Sequence, residues 1–301
     1  MSQTSTSRKK MKHLTGNEIV LLLKESFVSF IEKKAFFHGA SLAYYTLFAL
    51  IPLIYLTVSF LGQILGSKVM IEVIVEILEN HVGIKDVDSL FGFVHTLNFN
   101  RSNFYMELIG IITFMLSISA IFVSLKTSIN EFFRVNYTPT NVARGLLRNV
   151  LFRLLSIGFM IFFSLLFVGL YFLQMLMMSL GEKFLGNHEV LYWFFQYFVD
   201  HVLAIIILWF IFIIIFKYIH DCIVPWRVAI FGGLFTAILL YGGQLAIKYY
   251  LSNHFFASNA GLAGGLLVIL AWLFYSAQLL FFGANLAYIY SKATHQKIKH
   301  R

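Results

Sequence analysis

Six stretches of this 301-residue chain are apolar over close to the ~20 residues that an α-helix needs to cross the hydrocarbon core of a bilayer. They run Ala40 to Leu65, Leu108 to Leu125, Leu154 to Leu180, Leu191 to Phe216, Val228 to Ile247 and Leu262 to Tyr290, and are called spans one to six. With 59% hydrophobic residues, 12% charged residues and a mean hydropathy of +0.80, the chain is too apolar for an ordinary soluble domain. The fold expected is an all-α integral membrane protein, a bundle of six transmembrane helices. Ahead of span one the apolar run "IVLLL" ends at Lys24, too short for a signal-peptide core, so no cleaved targeting segment is expected and span one itself directs the chain to the membrane.

The placement of lysine and arginine sets the orientation. Seven precede span one, five lie between spans two and three, two between spans four and five, and four follow span six. The remaining five of the 23 are Lys68, Lys85, Arg101, Lys183 and Lys248. Positive charge gathers on the cytoplasmic side, so both termini are expected inside. The same distribution explains the net charge of +9 without nucleic acid, because the basic residues flank helices in four short segments.

Two segments outside the spans read as amphipathic helices. Val20, Leu23, Phe27, Phe30 and Ile31 share a face opposed by Lys24, Glu25, Glu32 and Lys33, which suits a helix lying on the inner surface. Between spans one and two, Met70, Val73, Ile74, Ile77 and Leu78 oppose Glu72, Glu76 and Glu79. This outer-side helix either caps an external opening or packs on the bundle as a loop helix.

Several polar residues inside the spans are candidates for lining a cavity. Thr113, Ser117, Ala120, Ser124 and Thr127 recur at helical spacing in span two, and Gly264, Ala271, Gln278 and Asn285 are seven apart in span six. In span one, Pro52 removes a backbone donor and crowds the Phe48 carbonyl, one turn after Tyr44, Tyr45 and Thr46. A break there lets hydroxyls and backbone line a hydrated space, whereas a kink repaired by a neighbouring hydroxyl only bends the helix. Asp200 and His201 stand about ten residues into span four: either they sit in hydrocarbon and mark a proton- or cation-sensitive site, or the span begins later and they lie at the outer interface. Asn130 follows span two. Span five is rich in small residues, Gly232, Gly233, Thr236, Ala237, Gly242 and Gly243, which allow close helix approach.

No catalytic pattern is present: the chain has no glycine-rich lysine loop, no G-x-S-x-G elbow and no H-E-x-x-H pair. Cys222 is the single cysteine, and the ten histidines are scattered. The adjacent His220 and Asp221 read as part of a solvated turn. No enzyme activity, cofactor or metal is expected.

Four ordered motifs carry a family resemblance. "GASLAYYTLFALIPLIYL" at span one, "SLKTSINEFFRV" after span two with Asn130 and Arg134, "VPWRVAIFGGLFTAILL" entering span five, and "LVILAWLFYSAQLLFFGANLAYIY" in span six resemble the YihY/BrkB family (virulence factor BrkB) over roughly Ala35 to Ser291. The chain departs from that pattern at Asn285, where the family typically has Gly-Ala-Glu, and in the turn before span five, "KYIHDCIVPWR", which lacks a proline after the tyrosine. The resemblance implies a six-helix protein of the bacterial inner membrane, with residues 1–34 a basic tail plus interfacial helix, 35–291 the transmembrane domain and 292–301 a basic tail. It implies cell-envelope work, export or translocation of a lipid or small amphiphile, with a non-transporting scaffold or docking partner for envelope proteins as the alternative. Membrane lipids are the expected partners, with envelope proteins or a second copy of the chain as further options, and no nucleic acid. A ribonuclease BN label attached to the family finds no support in these residues.

Overall fold

The computed structural model describes residues 16–66, 104–135, 142–186, 188–254, 261–296 and 298–300. Helix α1 covers Gly16–Glu32, α2 Ala35–Leu65, α3 Phe104–Phe132 and α4 Val142–Leu185. Helix α5, Glu189–Tyr197, passes through a π-helical turn, Phe198–Leu203, into α6, Ala204–Tyr218. After strand β1, Cys222–Ile223, come α7, Trp226–His254, and α8, Gly261–Ala293, and the chain closes with β2, Lys299–His300. Among the described residues six segments are long and apolar enough to cross a membrane: Ala35–Thr57, Glu107–Phe132, Ser164–Leu185, Val190–Tyr218, Trp226–Ile247 and Leu266–Ala293. Each overlaps one span drawn from sequence. The expected acidic outer helix, Met70 to Glu79, lies outside the described residues.

Neighbours in sequence are neighbours in space. Helix α2 packs on α3, α3 on α4, α4 on α5 and the π-turn, α6 on α7, α7 on α8, and α8 returns to α2 and also touches α3 and α1. Small residues let the backbones close in. A Cβ on Gly283 of α8 would stand 1.7 Å from Thr236 Oγ1 of α7, and one on Gly232 of α7 would stand 2.6 Å from the Ala287 Cβ. The fully buried residues Phe132, Phe216, Phe281, Ile129, Val228 and Ala284 belong to one core. That core sits at the end of the bundle where α1 lies, while α4 presents Phe162, Leu165, Val168 and Phe172 outward.

The first and last described elements, α1 and β2, both pack at this end. Helix α1 buries Leu22, Ser26 and Phe30, and the Phe30 ring lies 5.5 Å from that of Phe282 in α8 and 6.2 Å from that of Phe132 in α3. Of the apolar residues expected to share a membrane-facing side, Phe30 points into the bundle, whereas Val20, Phe27 and Ile31 are exposed together with Leu21 and Val28. Strand β2 pairs antiparallel with β1 in the turn after α6, Cys222 opposite His300 and Ile223 opposite Lys299. Helices α3 and α8 finish in the same way: Arg134 and His295 adopt positive φ, 53° and 54°, while Val135 and Gln296 donate back to the Asn130 and Ser291 carbonyls, both at 2.9 Å. Such left-handed caps satisfy carbonyls that a helix end leaves open.

Candidate functional site

Between α2 and α3 runs a polar groove of about 340 Å³. On α2, His38, Ser41 and Tyr45 face it at helical spacing; on α3, Ser124, Thr127 and Ser128 do the same. His38 Nδ1 and Ser128 Oγ are hydrogen-bonded at 3.0 Å, and Ser41 Oγ and Ser124 Oγ at 3.2 Å. The imidazole is wedged against Phe132 and Phe281 of the core, with ring centroids 5.6 and 6.2 Å away. Leu116 and Val123 on the rim are 58% and 39% exposed, so the groove opens on the outer surface of the bundle rather than into a sealed interior.

A second polar network ties α1 to the end of α8 and centres on Asn285, which is fully buried. Its Nδ2 donates to the Ser26 carbonyl at 2.7 Å, and its Oδ1 accepts from Lys33 Nζ at 3.1 Å and from Ser29 Oγ at 3.2 Å. Lys33 also donates to the Phe132 carbonyl at 2.7 Å, at the C-terminus of α3 where the helix dipole favours a cation. Burial, with Arg134 and Lys292 close by and Glu131 opposing them, pulls the Lys33 ammonium down to about 8.

A third network surrounds Asn130. Its Nδ2 donates to Asp221 Oδ2 at 2.9 Å and its Oδ1 accepts from the Asp221 amide at 3.0 Å, while Lys126 Nζ pairs with Asp221 Oδ1 at 2.9 Å. The turn after α6 is therefore clamped to α3 rather than solvated as its sequence implied. His220 is only 2% exposed, its Nε2 hydrogen-bonded to the Phe216 carbonyl at 2.7 Å and its ring edge-on to Phe133 at 4.8 Å.

The matching family model, Virulence factor BrkB, covers residues 26–301. The chain belongs to the BrkB virulence factor family. No curated protein and no solved structure matches it. Together with the six apolar helices, the match makes this a multi-pass membrane protein.

In this BrkB-family chain the residues singled out from sequence separate into several places. Tyr45 and Ser124 line the groove, and Ser117 lies two turns before Ser124 on α3, outside the lining. The Tyr44 and Phe48 rings lie 4.6 Å apart, tilted by 41°, on the exposed side of α2, and the Thr46 hydroxyl donates to the Leu42 carbonyl at 2.8 Å. Helix α2 runs uninterrupted through Pro52, whose side chain is buried, so the unwound turn at Phe48 does not form. Gln278 lies against Gly39, whose Cβ would stand 1.9 Å from its Nε2, and neither amide atom has a hydrogen-bond partner among the described residues. Asn130 and Asn285 hold the two networks above. The groove that Tyr45 lines includes none of Asn130, Gln278 and Asn285.

Asp200 and His201 sit in the π-helical turn of span four, a feature that recurs at functional sites. His201 Nδ1 is hydrogen-bonded to Tyr241 Oη of α7, and its ring meets Tyr197 edge-on at 4.3 Å. A 29-residue segment, Val190–Tyr218, is ~43 Å long and overshoots a ~30 Å hydrocarbon core. Its first turns, with Trp193, Phe194 and Tyr197 exposed, suit the headgroup zone, and Asp200 follows Val190 by ~15 Å along the helix.

Sequence reading passed over His38, Ser41 and Ser128 in the groove and Ser26, Ser29 and Lys33 beside Asn285. For the groove a signal existed: His38, Ser41 and Tyr45 fall at i, i+3 and i+7 on one face.

Proposed function

We propose that this BrkB-family protein lies in the cytoplasmic membrane of a bacterium with its α1 end inside, and moves the polar headgroup of a lipid or small amphiphile along the groove between spans one and two. One observation carries the reading: six hydroxyl or imidazole side chains line a groove that opens outward between two membrane-spanning helices. Polar groups at that depth are costly unless they meet water or a polar ligand, and a laterally open groove lets a headgroup slide while its tails stay in lipid. The orientation rests on the distribution of lysine and arginine. The unfilled hydrogen-bonding capacity of Gln278, behind His38 on the neighbouring Gly39, adds a further polar group to the same region. No catalytic step is assigned to the protein. The scaffold alternative requires the groove to be dry and closed.

Thiol labelling separates the two readings. In a Cys222→Ser background, a cysteine at Ser124 is expected to react with a water-soluble thiol reagent about tenfold faster than one at the fully buried Ile129. Equal, slow labelling at both positions would leave the groove dry and favour the scaffold.

A further inference from the structure

At the α1 end a cleft of about 620 Å³ opens between α1 and the last turns of α3 and α8, within the size range of small-molecule sites. Lys24, Arg134 and Lys292 line it, and Leu21, Val28 and Ile289 supply apolar walls. Its floor is the Tyr288 ring, with Lys292 Nζ 4.8 Å, Lys33 Nζ 4.9 Å and Arg134 Cζ 5.8 Å from the centroid. Three cations around one ring repel one another. The C-termini of α1, α3 and α8 offset part of that repulsion, and Lys33 places two of its three protons on the Phe132 carbonyl and Asn285. Glu25 and Glu32 also line the cleft and Glu131 is near Lys33, yet among the described residues none of them forms an ion pair with Lys33, Arg134 or Lys292.

We propose that this cleft binds the phosphate of an anionic glycerophospholipid, with Arg134 and Lys292 as the direct ligands, Lys24 at the rim and Lys33 adding charge from behind. Guanidinium and ammonium groups together suit a phosphate monoanion, the first by a paired fork and the second as a point charge. The apolar walls favour a lipid over a free ion. Leu21 and Val28 continue onto the exposed Phe27 and Ile31 of α1, an apolar surface along which acyl chains can lie. The site is separate from the groove, and its occupancy does not depend on any headgroup movement there.

The test uses the purified full chain in neutral detergent, with binding read by native mass spectrometry and by the shift in melting temperature. Phosphatidylglycerol is expected to bind about tenfold more tightly than phosphatidylcholine, and inorganic phosphate at the same concentration to compete poorly. Lys33 is charged below about 8 and loses its charge as the pH rises through that value, so the preference should shrink between about pH 7 and about pH 9. The Arg134→Gly/Lys292→Gln variant should fall to within about twofold between the two lipids. Glycine is at ease at the positive φ of residue 134, so the α3 cap survives, and melting without lipid checks the fold. Lys292→Gln alone and the pH series on the unaltered chain provide independent readouts. Equal affinity for the two lipids in the unaltered chain, or a preference untouched by the double substitution, would overturn the proposal. Full competition by inorganic phosphate would replace the lipid with a free anion.

Discussion

Gly283→Leu is expected to cost about 3 kcal/mol or more, because side chains forced into a close-packed contact cannot be absorbed by small shifts. A Cβ at this position would stand 1.7 Å from Thr236 Oγ1 and 2.9 Å from its Cβ. Thr236 cannot step aside: it is fully buried and its hydroxyl is held by the Gly232 carbonyl at 2.7 Å. One turn along, Ala287 faces Gly232 across the same contact, so α7 and α8 are joined by small residues over more than a turn. Forcing them apart disturbs the core around Phe216, Phe281 and Ala284. Gly169→Ala on α4 is the control, since a Cβ there meets nothing within 4 Å and alanine is the better helix former by about 1 kcal/mol. Melting in detergent should therefore show a large fall for the first and no loss for the second. Equal melting temperatures would mean that the α7–α8 contact is looser than described.

Asn285→Leu is expected to lose about 2–4 kcal/mol although the two side chains branch in the same way, because it strips several groups of partners at once. The Ser26 carbonyl loses its donor, and Lys33 and Ser29 lose their shared acceptor. A half-buried ammonium left with the Phe132 carbonyl alone is the costliest of these losses. Adding Lys33→Met to Asn285→Leu should recover much of the deficit, since removing both partners costs less than orphaning one. A double variant as unstable as the sum of its parts would show that the two side chains are not coupled.

The spans were legible because hydrophobic length is a local property, and each of the six windows drawn from sequence overlaps a helix. The small residues of span five were legible for the same reason, as Gly232, Gly233 and Thr236 do face neighbouring helices. What sequence could not supply was the partner of each polar face. Periodicity places Ser124 and Asn130 on α3, but only the rotation of that helix decides that one meets Ser41 and the other meets Asp221. Asn285 and Gln278 are seven residues apart on α8, yet α1 covers the first and α2 the second. Pro52 pointed to a break because proline deletes one backbone hydrogen bond, but a single missing donor leaves a long helix continuous when its neighbours pack. His220 looked solvated beside Asp221 because a turn is polar by default. Its burial follows from the clamp on Asn130 and Lys126, distant in sequence.

The groove reading is tested most directly by lipid movement in vesicles. The full chain is reconstituted into vesicles carrying fluorescent phosphatidylglycerol or phosphatidylethanolamine in both leaflets, and an impermeant reductant added outside bleaches whatever reaches the outer leaflet. The account predicts that bleaching proceeds beyond the initial outer-leaflet pool for at least one of the two lipids. It also predicts that Ser41→Leu/Ser124→Leu, which replaces the pair of hydroxyls 3.2 Å apart by bulk, returns the trace to that of protein-free vesicles. A trace that stops at the outer-leaflet pool for both lipids, or one that the double substitution leaves unchanged, would contradict it.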